Sequence, residues 1–149
     1  MTDLAGHRAY LAEAIAAAQT APLSRRKALL AAMLIDAHVD RVFAAGGAGD
    51  DILDYRAAVA GRSAPLGLLL RLCGQQGDLE LVTEAVAVPI EDYGSLSVED
   101  FMVSLYNDHS VQRLMLVGLD GQPELAHPVL MAAIQRLAEV QATLTGDIS

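Results

Sequence analysis

Two aspartates, Asp36 and Asp40, stand four residues apart in a segment whose apolar pattern predicts a helix. That spacing places both carboxylates on one face of the helix, where like charges repel each other and destabilise it slightly. Burial of the pair would require compensation by an arginine such as Arg56, Arg62 or Arg71, or by a metal ion. We interpret the pair as structural, either matched by arginine or facing solvent, because short motifs of this kind seldom prove to be metal ligands.

The segment from Tyr106 to Arg113 contains the densest cluster of polar and titratable side chains in the chain. Asp108, His109 and Ser110 are the residue types of a hydrolase triad, but such residues normally come from separate parts of a chain. The G-x-S-x-G motif of a nucleophile elbow is also missing from the sequence. We therefore predict a turn here, in which a histidine can make a pH-sensitive contact. Tyr106, Asp108, His109 and Arg113 join Asp36 and Asp40 as the candidate binding residues.

The sequence contains little that predicts a metal or cofactor site. Cys73 is the single cysteine, which excludes an intramolecular disulfide and a cysteine-rich zinc site. Glu124 and His127 form the only Glu-x-x-His pair, whereas carboxylate-bridged metal bundles repeat that motif. The glycine-rich stretch 46–49 lacks the pattern of a phosphate-binding loop. We predict no metal, no cofactor and no assigned catalytic residue.

The charge of the chain is concentrated in its second half. The net charge is −9, with seven acids against eight bases in residues 1–75 and twelve acids against two bases in residues 76–149. A surface of that sign repels phosphate backbones and attracts cationic partners. Because the chain also has only two phenylalanines, four tyrosines and no tryptophan for base stacking, we predict no nucleic-acid binding. For the acidity taken by itself, we favour the simpler interpretation that it keeps an alanine-rich chain in solution.

The single basic run, Arg25-Arg26-Lys27, follows Ser24 in the first turn of a predicted helix. Cations are mildly unfavourable there, because they face the positive end of the helix dipole. We interpret the run as an exposed helix start. Contact with an acidic patch, including the second half of another copy of this chain, is the open alternative.

The residues before Gly74 predict a bundle of about four helices. Apolar periodicity, capping residues and breakers define these segments. The second helix is apolar almost all round, which predicts a central helix covered by its neighbours. The predicted helices run from Leu4 to Gln19 with Asp3 as cap, from Ser24 to Ala45, from Asp50-Asp51 to Val59, and from Ser63-Ala64-Pro65 to Cys73.

The residues after Gly74 predict a small β-α-β-α portion with two or three strands. Residues 81–88 favour a strand over a short helix, and 111–119 give the clearest strand. Ser97 has capping-box spacing before a stripe at Val98, Phe101, Met102 and Leu105, which predicts a helix to Asn107, with a strand over 101–106 as the alternative. We expect residues 89–110 to form a right-handed parallel crossover and a last helix to run from Pro128 to Thr143. The predicted fold class is helix-rich α+β.

Length and composition favour one domain of 149 residues, with a helical part over residues 3–74 and a mixed part over 78–144. No basic stretch followed by an apolar run resembles an export signal, and no apolar stretch approaches the ~20 residues that a membrane span needs. We expect a cytoplasmic protein that does not bind membranes.

These observations predict a non-enzymatic interaction protein, accessory, chaperone-like or regulatory, that acts through the acidic second half. A protein partner or self-association as a homo-oligomer is expected, since a thin sheet needs a further layer or added strands. The alternative is a small enzyme or ligand-binding protein with a site between the helical bundle and the second half. Its candidate contacts are Asp36, Asp40, His109 and Arg113.

Overall fold

In a computed structural model the described residues of the chain form six α-helices and one antiparallel sheet of three strands, a helix-rich α+β arrangement. The structure describes residues 4–46, 51–74, 79–118 and 123–144, and the statements below concern these residues. The helices are α1 (Leu4–Thr20), α2 (Arg25–Ala44), α3 (Ile52–Arg62), α4 (Ala64–Cys73), α5 (Val98–Tyr106) and α6 (Ala126–Leu144). The strands are β1 (Leu79–Ala87), β2 (Ser110–Gly118) and β3 (Glu124–Leu125), and a 3₁₀ helix spans Ile90–Ser95.

Four helices begin at side-chain caps, close to the helix starts that the sequence predicts. Ser24, Asp51, Ser63 and Ser97 each accept a hydrogen bond from a backbone N–H of the first turn that follows. Each cap satisfies an amide that would otherwise lack a partner, and these contacts fix where α2, α3, α4 and α5 start. The cap predicted for α1, Asp3, lies outside the described residues.

The core lies between the helical bundle and one face of the sheet. α2 contacts α1, α3, α4, α6 and β1, and its buried residues include Ile35 and Val39. Leu114 and Leu116 of β2 close the core from the sheet side. The position of α2 at the centre is therefore confirmed.

The prediction that α2 is covered on all sides is wrong. Leu29, Leu30 and Met33 are 39–53% exposed in the first half of the helix. The neighbouring elements pack instead onto the opposite side, where Ala28, Ala31 and Ala32 permit close approach.

The predicted parallel crossover is also wrong, because β1 and β2 pair antiparallel. Their register runs from Leu79 opposite Gly118 to Ala87 opposite Ser110, so the linker over residues 88–109 leaves and rejoins the sheet at the same end. Asp108 and His109 adopt φ angles of 51° and 61°, in the left-handed region, and reverse the chain after α5. The carbonyl of His109 then accepts a hydrogen bond of 2.7 Å from the N–H of Val88, which extends the antiparallel pairing.

The remaining differences lie in the last part of the chain. α5 is a helix and not the alternative strand, and α6 begins at Ala126, so that Pro128 falls within its first turn. β3 pairs with Met115 and Leu116 of β2. No helix in the described part of the chain combines the length and the apolarity that crossing a bilayer needs.

Candidate functional site

Asp36 and Asp40 form an ion-pair cluster with one arginine of the next helix. Arg56 of α3 donates one guanidinium nitrogen to Asp36 and another to Asp40, the latter at 2.7 Å. Burial alone lowers the pKa of Arg56, and the hydrogen bonds and charges of the two aspartates more than offset this and raise it. The cluster therefore joins α2 to α3, as the arginine-paired interpretation expects.

No group of three or more histidine, cysteine or acidic side chains among the described residues is arranged to hold a metal ion. Cys73 is partly buried, and burial raises the pKa of its thiol to about 11. At neutral pH that thiol is protonated, which makes it a poor nucleophile.

The predicted turn after α5 is present. Asn107, Asp108 and His109 reverse the chain, and the N–H of His109 donates to the carbonyl of Ser104 at 2.9 Å. The ring of His109 is hydrogen-bonded through Nδ1 to the hydroxyl of Tyr93. The structure therefore uses His109 to join the turn to the 3₁₀ helix, while Asp108 remains exposed.

Arg113 pairs with a carboxylate of α5 and not with the first half of the chain. Its guanidinium lies 3.1 Å from Asp100, and both side chains are about one-third exposed. The pair lines a cleft of about 380 Å³ between the α1–α2 connection, β2 and the start of α6, where His127 contacts the carbonyl of Pro22 at 2.9 Å. Because Asp100 already neutralises Arg113, the cleft offers no free cation for an anionic ligand.

The most unusual surface in the described part of the chain is α5 itself. The helix buries a single residue, Ser104, and its main contacts among the described elements are with β2. Its large apolar side chains remain outside, with Val98 at 81% and Tyr106 at 83% exposure. We define the α5 face as these apolar side chains at helical spacing: Val98, Phe101, Met102, Leu105 and Tyr106.

Such a stripe normally faces a core, because covering it removes apolar surface from water. Here the stripe that predicts the helix lies on the uncovered side. An apolar patch that a fold leaves open and surrounds with polar residues is typical of an interaction site.

Carboxylates surround the α5 face. Glu99 lies in the first turn of α5 and Asp108 follows its last turn. Glu91 and Asp92 belong to the 3₁₀ helix, which packs on α5 through an edge-to-face contact of 5.5 Å between the rings of Tyr93 and Phe101. We define these four exposed acids as the acidic rim: Glu91, Asp92, Glu99 and Asp108. None of them forms an ion pair with another described residue, so the rim keeps its negative charge.

A second uncovered apolar surface, of opposite charge, lies on α2. Leu29, Leu30 and Met33 follow the first turn, which carries three exposed cations. Helical spacing places Arg26 on the same stripe as these apolar residues, with Arg25 and Lys27 on either side of it. We define the α2 face as this set: Arg25, Arg26, Lys27, Leu29, Leu30 and Met33.

The structure also contains a buried histidine pair that the sequence analysis missed. His7 of α1 and His38 of α2 stack with ring centroids 5.1 Å apart, and their Nδ1 atoms lie 2.9 Å from each other. Burial, together with the charges of His7, Arg8 and Arg41, lowers the pKa of His38 to about 4. The signal that was available is helical position, since His7 lies one turn before Leu11 on the buried stripe of α1.

Of the six candidate binding residues, the structure brings four to the neighbourhood of α5. Tyr106 is on the α5 face, Asp108 is on the acidic rim, and His109 and Arg113 contact the elements beside them. Asp36 and Asp40 lie on α2 and are joined to α3. The apolar residues of α5 were used only to predict a helix, and their exposure is what sequence reasoning missed.

Comparisons of the chain with protein-family models, with curated proteins and with solved structures find no match.

Proposed function

We propose that this protein is a non-enzymatic interaction protein of the cytoplasm, whose α5 face binds an apolar, cationic segment of a protein partner. The observation that carries the proposal is that α5 buries only Ser104, while every large apolar side chain of the helix is more than one-third exposed. Keeping these side chains in water is unfavourable, and a partner that covers them removes that cost.

Covering the apolar side chains of the α5 face supplies part of the free energy that reversible binding needs. Full burial of one large apolar side chain contributes about 1.5–3 kcal/mol, so covering the exposed half of Met102 or Leu105 contributes roughly 1 kcal/mol each. Four or five such contacts offset only part of the entropy lost on association. The rest of the affinity must come from charge, which the rim supplies.

The acidic rim decides the sign of the partner. Four carboxylates without a described ion pair attract a cationic segment and repel an acidic one or a phosphate backbone. Because the rim is exposed, salt should screen this attraction.

The proposal is tested with two labelled peptides of 18 residues, one built from leucine and lysine at amphipathic helical spacing and one with glutamate in place of lysine. Fluorescence anisotropy with the full chain should show at least tenfold tighter binding of the lysine peptide. The double variant Met102→Ser and Leu105→Ser should weaken that binding about tenfold, because it removes apolar contacts from the centre of the α5 face.

The matched control is Leu53→Ser, since Leu53 is an apolar side chain on α3 that is 71% exposed and lies outside the α5 face. It should leave the affinity unchanged. Equal binding of both peptides, or equal weakening by the control and by the α5 variant, would show that α5 is not the docking surface.

A further inference from the structure

We propose that the partner segment is the α2 face of a second copy of this chain, in a two-fold dimer where each α5 face covers the α2 face of the other copy. This inference rests on the proposed function and names its occupant. The two faces are complementary in apolar surface and in charge. Each is apolar and uncovered, and each carries the charge that the other lacks.

The α2 face matches the chemistry that the α5 face requires. Leu30 and Met33 are 52% and 53% exposed, so their apolar surface has no cover from the described elements of their own chain. The three cations in the first turn have no ion pair with any described residue. Placing them in a first turn is unfavourable for α2, and nearby carboxylates of another chain would offset that cost.

A groove beside the α2 face gives room for side chains of α5. It has a volume of about 420 Å³, and four leucines line it together with Arg25, Arg26 and Glu80, so that its charged lining is net positive. A leucine-lined groove accepts an apolar side chain such as Tyr106 or Met102, while Arg25 and Arg26 meet the carboxylates around α5.

The two-fold arrangement follows from the size of a single contact. α5 has nine residues, and one contact between a helix of this length and half of α2 covers less than the ~1,200 Å² of a stable interface. Using the same pair of faces twice doubles the covered area and closes the assembly. A single head-to-tail contact would instead leave one face of each kind open and would allow chains to add without limit.

The experiment exchanges the charges of the two faces. One variant carries Glu91→Lys and Glu99→Lys, which makes the surroundings of α5 basic. The other carries Arg25→Glu and Arg26→Glu, which makes α2 acidic. Sedimentation equilibrium at low salt should show the wild-type chain with twice the mass of a single chain, and each variant alone with a dimer dissociation constant at least tenfold higher.

An equimolar mixture of the two variants should restore the dimer, because the new basic α5 faces the new acidic α2 and the other contact keeps wild-type charges. The combination Glu13→Lys with Arg62→Glu, at exposed charges of α1 and α3, is the control and should dimerise like the wild type. Restoration in the mixture also demonstrates that both variants are folded.

Three results would overturn the inference. The wild-type chain could remain monomeric, or the mixture of variants could remain monomeric while the wild type dimerises. The third is a wild-type mass that keeps rising beyond that of a dimer as the protein concentration increases. A single chain that still binds the lysine peptide through α5 would leave the proposed function standing and remove only the second copy as partner. A chain that binds neither a second copy nor the lysine peptide would overturn both the dimer and the proposed function.

Discussion

At the scale of single residues, the buried histidine pair couples folding to pH. His7 and His38 share one hydrogen bond between their Nδ1 atoms, and the Nε2 of His38 has no partner among the described residues. Protonation of the pair therefore places charge in a buried site, next to Arg8 and Arg41, and the folded state resists it. The pKa of both histidines is lowered in the fold, that of His38 from 6.5 to about 4.

We predict that the free energy of unfolding falls as pH drops from about 7 towards 4. In this window the unfolded chain binds more protons than the folded one, so acid favours unfolding. The lowered pKa of His38 corresponds to about 3 kcal/mol of stability that is complete above pH 6.5 and is lost by about pH 4. Urea unfolding at pH 7 and pH 5 should show about 2 kcal/mol of this loss in the wild type and a smaller loss in His38→Leu.

His127→Gln serves as the control, because His127 lies on α6 and contacts the carbonyl of Pro22 away from the pair. It should keep the wild-type dependence between pH 7 and pH 5. If His38→Leu and His127→Gln lose equal stability over this range, the pair is not the origin of the effect.

At the scale of elements, α5 should be the least protected helix, because its contacts with the rest of the described chain are few. Its start depends on Ser97, which accepts a hydrogen bond of 3.1 Å from the N–H of Asp100. Removing such a cap costs about 1 kcal/mol. We predict that Ser97→Ala speeds hydrogen exchange of the α5 amides about fivefold and leaves the exchange of α2 unchanged.

The matched variant is Ser63→Ala, at the cap of α4. Ser63 is buried and α4 carries the core residues Leu66 and Leu69, so this change should speed exchange throughout the core. An α5 as protected as α2, or a global response to Ser97→Ala, would contradict this description of α5.

How far the sequence predicts the fold depends on whether the deciding contact is local. The starts of α2 to α5 were predicted because a cap and its amide lie two or three residues apart. The antiparallel pairing of β1 and β2 was not predicted. It depends on the left-handed backbone conformations of Asp108 and His109, and these residue types do not by themselves require that conformation. Periodicity also groups Val98 with Met102 without stating what covers them, so the open side of α5 could not be predicted.

The aspartate cluster shows the same limit at a candidate site. Spacing places Asp36 and Asp40 on one face and indicates that a cation must compensate them, yet three arginines satisfied that condition equally. Arg56 makes the contact because the packing of α3 on α2 brings it opposite both carboxylates, which is a tertiary fact.

At the scale of the whole molecule, the ion pairs of Arg56 and Arg113 in the described part of the chain do not join the two halves. The ion pairs of Arg56 and of Arg113 each stay within their own half, and the four carboxylates of the acidic rim pair with no described residue. The surplus negative charge of residues 76–149 is therefore concentrated in one part of the sequence, and self-repulsion opposes its compact state.

We predict that raising the NaCl concentration from about 20 mM to about 500 mM increases the melting temperature of the single chain by about 3 °C, which corresponds to roughly 1 kcal/mol. Salt weakens attraction and repulsion alike, but the exposed ion pairs contribute little, whereas the excess of twelve acids over two bases repels throughout the second half.

The thermal unfolding scans should be made at a protein concentration where sedimentation shows no association, since dimer contacts would respond to salt in the opposite direction. Glu91→Gln with Glu99→Gln should reduce the salt effect, and Glu13→Gln, in the nearly balanced first half, should not. A melting temperature that falls with salt would mean that attraction between the halves, and not repulsion within the second, dominates the electrostatics of this fold.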